Sequence, residues 1–190
     1  MDDLALTLRE RTPDDRDALR VLCGRALATP DGDDPDGLDR VLWSDGIVSI
    51  VAEVGGVVVG LVAGSFFDDE GVPSAAVTVV AVDEQHRGAG IGRALLDALE
   101  TRARERGATA LWSGGGQPRF WWPGIDDTRD DLLAFFGDAG YELADVAPNM
   151  DVDLTRADLA ERPMGGGIRI HRLQPGDHEA FFAWMDQEWA

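Results

Sequence analysis

The sequence predicts an α+β fold with a mixed sheet, and three observations support this. Strand-like apolar runs alternate with segments whose apolar residues recur every three or four positions, as in amphipathic helices. Gly55-Gly56 lies between two apolar runs and is typical of a two-residue hairpin, so the early strands should pair antiparallel. Farther along, a strand, a long helix and a short strand follow in βαβ-like order. With 44% hydrophobic residues, the 190-residue chain can bury a core.

The individual elements follow from these periodicities and from the residues that start and stop helices. Thr12-Pro13 is a typical helix start, and Gly107 and Gly140 are typical residues just beyond a helix end. The predicted elements are a strand at 4–8, a helix from 13 to about 28, a short helix at 38–43, strands at 47–54, 57–66 and 75–82, a helix at 90–106, a strand at 108–113, a helix at 128–139, and a strand pair at 141–146 and 150–154.

Composition excludes several classes of function. The formal net charge is -19, and all 17 basic residues are arginine, so the field repels nucleic acid and anionic lipid. No apolar run reaches 18 residues and no basic segment opens the chain, so we expect a cytoplasmic protein without a membrane span. The single cysteine, Cys23, forms no internal disulfide, and the scattered histidines predict no metal site.

A weak internal repeat suggests how the chain is organised. Residues 6–15 are echoed by residues 168–177 at a constant offset, and both stretches read as a strand followed by a helix cap. A glycine-rich segment, Gly165-Gly166-Gly167, precedes the second copy and is typical of a linker. We therefore predict a domain at 1–155, a linker at 156–167, and the first strand and helix of an incomplete second unit at 168–190.

The segment with the clearest chemistry is Arg87-Gly88-Ala89-Gly90-Ile91-Gly92-Arg93, between a predicted strand and a predicted helix. Glycines remove side chains from the turn, so that successive backbone N–H groups can surround an anion. The start of the following helix adds unpaired N–H groups and a partial positive charge. The segment therefore predicts a ligand that contains a phosphate or pyrophosphate.

Two common phosphate motifs do not fit this segment. The Walker A loop requires a lysine, which the chain lacks. The dinucleotide fingerprint requires a third glycine where Arg93 stands. The segment instead resembles the Arg/Gln-x-x-Gly-x-Gly/Ala signature of the GNAT superfamily of acyl-CoA-dependent N-acetyltransferases, and the order of elements over residues 4–154 resembles that superfamily's layout.

This resemblance implies a mostly antiparallel sheet flanked by helices, in which two splayed strands, at 75–82 and 108–113, form an acyl-CoA cleft. It implies acetyl-CoA as co-substrate, with its pantetheine arm along backbone groups near Val80 and Val82 and its pyrophosphate on the glycine turn. The arginines that flank the turn could add charge. The implied cofactor-binding residues are Val80, Ala81, Val82, Arg87, Gly88, Ala89, Gly90, Ile91, Gly92 and Arg93.

Two departures from the family pattern leave the catalytic residues unknown. Phe136 stands where many members have a tyrosine that protonates the leaving thiolate, at a position we expect at the mouth of the cleft. The strand at 75–79 lacks the glutamate that often serves as base. The loop at 114–124, with Trp121 and Trp122, either borders the acceptor pocket or covers the sheet end.

The implied function is acetyl transfer to an amine. The alternative is a non-catalytic, structural or sensing acyl-CoA-binding half of a tandem protein. The acceptor class remains open between small molecules and peptides, and a homodimer is compatible with the sequence.

Overall fold

The structure is a computed structural model that describes residues 5–27, 35–115, 124–144, 146, 172 and 174–188. The chain divides into two compact units, residues 1–147 and 148–190. The first unit contains β1 (Leu6–Glu10), α1 (Arg16–Ala26), α2 (Pro35–Leu42), β2 (Ile47–Val54), β3 (Val57–Asp69), β4 (Val72–Val82), α3 (Ile91–Glu105), β5 (Ala110–Ser113) and α4 (Asp130–Asp138), and the second contains α5 (His178–Glu188).

The five strands form one sheet in the order β1-β2-β3-β4-β5. Neighbours pair antiparallel except β4 and β5, which pair in parallel. Gly55 and Gly56 both have positive φ, 60° and 78°, which suits the tight hairpin between β2 and β3. The predicted fold class, a mostly antiparallel mixed sheet with flanking helices, is thus confirmed.

Each face of the sheet packs against a different pair of helices. On one face, α1 and α2 bury leucines and Cys23 against Val51, Leu61 and Ala63. On the other, α3 and α4 pack against residues that include Val62 and Val77. The side chains of α3 at the centre of this face, Leu95, Leu96 and Leu99, are fully buried, so α3 is fixed firmly on the sheet.

A cluster of ion pairs lies at the β1 edge of the sheet. The Arg9 guanidinium binds Asp15 through two hydrogen bonds, Nη1–Oδ2 at 2.8 Å and Nη2–Oδ1 at 2.7 Å, and reaches Glu53 Oε1 at 2.6 Å. Asp15 also accepts from the Thr12 backbone N–H at 2.6 Å. These donors, Arg9 first, hold the pKa of the buried Asp15 carboxyl well below its usual range.

Several predicted boundaries differ from the structure, among them those of the first strand and of the segment after Gly140. The first strand lies at Leu6–Glu10 rather than at 4–8, because it pairs with β2 over Leu6↔Val54 to Glu10↔Ile50. Residues 141–144 and 146, predicted as strand, are not in one; a strand requires a paired neighbour, and no described strand pairs with them. The partner predicted at 150–154 lies outside the described residues.

In the second unit, the start of α5 has the same local geometry as the start of α1. The residue before the helical turn is extended in both, with φ -119° and ψ 165° at Thr12 and φ -117° and ψ 160° at Gln174. The Gln174 N–H donates to Asp177 Oδ2 at 2.9 Å, as the Thr12 N–H does to Asp15. The two described capping turns thus share a local geometry, while the strand predicted at 168–170 lies outside the described residues.

Candidate functional site

The sheet opens where β4 and β5 separate. The two strands pair from Ser74↔Ala110 to Val77↔Ser113, and the Gly114 N–H adds a last hydrogen bond to the Val77 carbonyl at 3.1 Å. β4 continues to Val82, whereas β5 ends at Ser113. The far half of β4 therefore pairs only with β3 among the described strands, and its other edge is open.

A β-bulge lies at the point of separation. Val77 pairs with Gly64 and Val79 with Ala63, so Thr78 is an extra residue without a partner on β3. A bulge bends a strand and increases its twist, which accounts for the divergence of β4 from β5.

The backbone groups of the open edge can be assigned from one hydrogen bond. The Asp83 N–H donates to the Val59 carbonyl of β3 at 2.9 Å. Because backbone groups alternate in direction along a strand, those of Ala81 face β3 and those of Val80 and Val82 face the open edge. Of the three predicted strand residues, Ala81 thus holds the sheet together, while the other two offer groups to an extended ligand.

The glycine turn directly follows this edge. Gly88 and Gly90 have positive φ, 76° and 81°, and a Cβ at either position would meet no atom within 4 Å. Both glycines are therefore required by backbone conformation, and the turn faces open space. At Gly92 the reason is close packing, because a Cβ would lie 3.3 Å from the Phe135 ring of α4.

The amides of this turn are available to a ligand. The first backbone N–H of α3 with a partner inside the helix is that of Ala94, which donates to the Gly90 carbonyl at 3.0 Å. Within the described ranges no acceptor is recorded for the amides of residues 88–93. Ile91 anchors the helix start, since its side chain is buried in the core. Six amides at a helix N-terminus are suited to bind an anion.

The two flanking arginines both contact the protein. Arg87 Nε donates to the Val82 carbonyl at 3.1 Å, on the open edge itself. Arg93 Nε donates to Asp97 Oδ1 at 2.8 Å. Beside the turn, His86 Nδ1 lies 3.1 Å from Asp83 Oδ1, and this hydrogen bond is the main cause of the lowered pKa of Asp83. His86 therefore has a local contact that orders the turn.

Phe136 is not at the mouth of a cleft, so that prediction is wrong. The residue is only 5% exposed. Its ring packs in the core with side chains of α3, edge-on to the Tyr141 ring at 5.0 Å between centroids. Tyr141 packs against the same core, as predicted, and its hydroxyl is buried with no recorded partner. Burial raises the pKa of Tyr141.

The sequence analysis did not single out three buried hydroxyl groups of the sheet, those of Ser49 on β2, Ser65 on β3 and Thr78 on β4. None has a hydrogen-bond partner in the described part of the protein. Small polar residues within apolar strands were the available signal. The predicted loop residues Trp121 and Trp122 lie outside the described residues.

Two further properties concern membranes and metals. Over residues 5–27, 35–115 and the other described parts, no helix is long and apolar enough to cross a membrane. Within the same parts, no three histidine, cysteine, aspartate or glutamate side chains are grouped so that they could hold a metal ion.

Several solved structures have the same fold. A fungal glucosamine N-acetyltransferase region matches with a TM-score of 0.68 and 22% identity, over 77% of this chain and 18% of that one. A ribosomal-protein-alanine N-acetyltransferase from Brucella melitensis matches at 0.60 and 21%, over 78% and 99%. An aminoglycoside acetyltransferase from an uncultured soil sample matches at 0.61 and 19%, over 80% and 99%. At these identities the likeness concerns the fold alone.

A family comparison goes further than the fold. The model of the acetyltransferase (GNAT) family matches residues 19–118, more than half of the chain. The matched segment includes the separation of β4 from β5, the glycine turn and the whole of α3. The chain therefore belongs to the GNAT family of acetyltransferases.

Proposed function

We propose that this protein transfers the acetyl group of acetyl-CoA to an amine. The observation that carries the proposal is the continuity of two features, the open edge of β4 and the glycine turn that follows it. An extended arm that ends in a pyrophosphate requires such an arrangement, namely a strand edge for the arm and free amides for the phosphates.

In the proposed complex, the pantetheine arm adds to the sheet beside Val80 and Val82, in the gap left by β5. The amides of residues 88–93 hold the pyrophosphate. The Arg87 side chain, which binds the Val82 carbonyl at 3.1 Å, gives up this contact or shares it when the arm enters. The thioester then lies toward the start of the open edge, near Thr78.

The reaction is direct attack by an uncharged amine on the thioester carbonyl carbon. A C–N bond forms, the C–S bond breaks, the sulfur leaves as thiolate, and the amine nitrogen loses a proton to water. The protein positions the two reactants, so that a bimolecular reaction becomes effectively unimolecular. It also supplies a backbone N–H of the open edge, which polarises the thioester carbonyl. Phe136 is part of the core rather than of the cleft, so the proposal assigns no proton donor in the protein. Water protonates the thiolate and turnover is slow.

The donor site is tested by Gly90→Glu, which places a negative charge in the turn where the pyrophosphate would bind. We expect the dissociation constant of acetyl-CoA, measured by calorimetry, to rise at least about 100-fold, because like charges in a confined site repel strongly. Gly71→Glu is the matched control, since Gly71 also has positive φ and open space around it but lies in the β3–β4 turn. Equal affinity of both variants for acetyl-CoA would contradict the proposal.

A second candidate function is acyl-CoA binding without catalysis, as one half of a tandem protein. Phe136 supports it, because the ring that replaces the tyrosine is part of the core. The matching capping turns at Thr12 and Gln174 support a second unit of the same kind. Release of free CoA thiol from acetyl-CoA, measured against a panel of amines at low and high salt, separates the two functions, since the second predicts acetyl-CoA binding without release.

A further inference from the structure

The Arg87 side chain lies on the open edge of β4. Its Nε–H donates to the Val82 carbonyl at 3.1 Å. That carbonyl faces away from β3, because the next residue, Asp83, uses its N–H for the Val59 carbonyl of β3 at 2.9 Å. The arginine thus takes the place that a donor on a neighbouring strand would take. Part of the edge assigned to the pantetheine arm is therefore occupied by a side chain of the protein itself.

The charge of Arg87 has no counter-ion among the residues that the structure describes. No salt bridge of this side chain to a described carboxylate is recorded, although the chain carries 36 acidic residues. The residue is exposed, and a guanidinium has further N–H donors besides the one at Nε. An anion that arrives nearby can therefore attract this side chain and form charge-assisted hydrogen bonds with it.

Arg87 also directly precedes the free amides of the glycine turn. Its backbone is extended, with φ -68° and ψ 155°, and its N–H donates to the Glu84 carbonyl at 3.4 Å. The next amide, that of Gly88, is the first of those without a recorded acceptor. The backbone of Arg87 is thus held beside the turn while its side chain folds back onto the strand. One residue connects the two parts of the donor site.

Arg93, at the other end of the turn, has different contacts. Its Nε donates to Asp97 Oδ1 at 2.8 Å, and its Nη1 lies 3.5 Å from the Asp138 carbonyl. Its charge therefore already has a carboxylate partner on α3. Of these two arginines, Arg87 is the one whose recorded contact competes with an extended ligand on β4.

We propose that Arg87 is a specificity-determining residue for the donor: it occupies the Val82 carbonyl until a phosphate group beside the turn draws the guanidinium away. This inference rests on the proposed function, because it uses the same donor site. A CoA thioester brings a pyrophosphate to the turn, so the guanidinium exchanges a carbonyl for a phosphate. A pantetheine thioester without phosphates must also displace the guanidinium, but leaves it with water alone. Arg87 thus favours CoA thioesters over phosphate-free thioesters.

The same exchange couples the two parts of the donor site. A phosphate ion on the turn releases the Val82 carbonyl, and an arm on the open edge frees the Arg87 guanidinium for phosphate. Coupling between two binding sites is reciprocal, so each ligand raises the affinity for the other by the same factor. A side chain that merely ordered the turn would produce no such coupling.

The test compares wild type with Arg87→Met, whose side chain is also unbranched but has no N–H group. Dissociation constants of acetyl-CoA and S-acetylpantetheine are measured by calorimetry and by NMR titration. We expect the variant to bind S-acetylpantetheine about tenfold more tightly than wild type, because the arm no longer displaces a charge-assisted hydrogen bond. Its affinity for acetyl-CoA should stay equal or fall, because the pyrophosphate loses a partner.

A second measurement tests the coupling itself. Saturating inorganic phosphate should strengthen the binding of S-acetylpantetheine to wild type about fivefold. In Arg87→Met, phosphate should leave the affinity for S-acetylpantetheine unchanged, since the side chain that connects the two parts is gone.

Arg93→Met is the matched control. It removes the same charge from the other end of the turn but breaks no recorded contact with β4. It should weaken the binding of acetyl-CoA and leave the affinity for S-acetylpantetheine within about twofold of wild type. Both variants should unfold at the temperature of wild type, because both side chains are exposed.

The results distinguish the role of Arg87 from the donor site itself. The role of Arg87 is overturned if Arg87→Met binds S-acetylpantetheine no more tightly than wild type, or if Arg93→Met gains as much, which would indicate a general effect of charge. Coupling to phosphate that persists in Arg87→Met would also overturn it. A wild type that binds acetyl-CoA no more tightly than S-acetylpantetheine would overturn the donor site, and with it the proposed function. All of these measurements are binding constants, so they do not depend on turnover of an amine.

Discussion

The two edges of the sheet are built in opposite ways. At the β1 edge, five residue pairs join β1 to β2, and the Arg9 guanidinium pairs with both the Asp15 and the Glu53 carboxylates. At the other edge, β5 pairs with β4 over four residue pairs and then ends, which leaves backbone groups of Val80 and Val82 without a strand partner.

This difference separates stability from function within one sheet. The charged side chains of Arg9, Asp15 and Glu53 at the β1 edge pair with one another, so substitutions there should change the free energy of unfolding. In the glycine turn no acceptor is recorded within the described residues for the amides of residues 88–93, and at the open edge the Val82 carbonyl is bound by the Arg87 side chain rather than by a strand, so substitutions there should change ligand affinity. The following predictions test the contrast.

The largest effect is expected from proline in β4. Ala81→Pro removes a hydrogen bond to β3 inside the sheet and should cost about 3 kcal/mol or more, or prevent folding. Val80→Pro removes an N–H that faces the open edge, so it should fold with a much smaller loss of stability and bind acetyl-CoA about tenfold more weakly, for loss of one hydrogen bond. Thermal unfolding and calorimetry measure both effects. If both proline variants lost the same stability, the Val80 N–H would have a partner within the protein, which would contradict its assignment to the open edge.

At the β1 edge, Asp15→Asn should destabilise the protein by about 3 kcal/mol, because it leaves the Arg9 charge partly unpaired in a half-buried site. Asp14→Asn, at the exposed neighbouring position, should stay within about 0.5 kcal/mol of wild type. Urea unfolding provides the measurement. The affinity for acetyl-CoA should be unchanged in both variants. A loss of this affinity in Asp15→Asn would show that the β1 edge influences the binding site, which would contradict the contrast between the two edges.

The same carboxyl predicts a dependence on pH. The pKa of Asp15 in the folded protein lies well below its value in the unfolded chain, which is about 3.9. Its contribution to stability is therefore complete above that value and is lost as the pH falls through the acid range toward the folded pKa. Urea unfolding between pH 7 and pH 3 should show a smaller acid loss in Asp15→Asn than in wild type. An equal loss of unfolding free energy in wild type and Asp15→Asn over this pH range would contradict the lowered pKa of Asp15.

The smallest effect concerns α4, under the open edge. Phe136→Tyr places a hydroxyl in the core and should cost about 1–2 kcal/mol without raising turnover. Tyr141→Phe removes a buried hydroxyl that has no recorded partner and should be neutral or slightly stabilising. Unfolding and acetyl-CoA turnover are measured on both. Faster turnover in Phe136→Tyr would show that this position reaches the thioester after all.

Much of the fold and of the turn follows from local sequence. Three features depend on glycines with positive φ: the hairpin at Gly55-Gly56, the start of α3 after Gly90 and its end before Gly107. A positive φ is a property of the local backbone, so these glycines can be recognised from the neighbouring sequence. The capping turns at Thr12 and Gln174 likewise need only residues three apart. For this reason the glycine turn and its family resemblance could be predicted without a structure.

The remaining features depend on partners that are distant in sequence. Val72 begins β4 three residues earlier than predicted because Asp69 of β3 pairs with it. Residues 141–144 form no strand, since no described strand pairs with them. Phe136 is core rather than cleft because α3 and Tyr141 surround it. Local sequence determines where the chain turns, but the pairing of strands decides which side chains meet, because a register joins residues that the sequence separates.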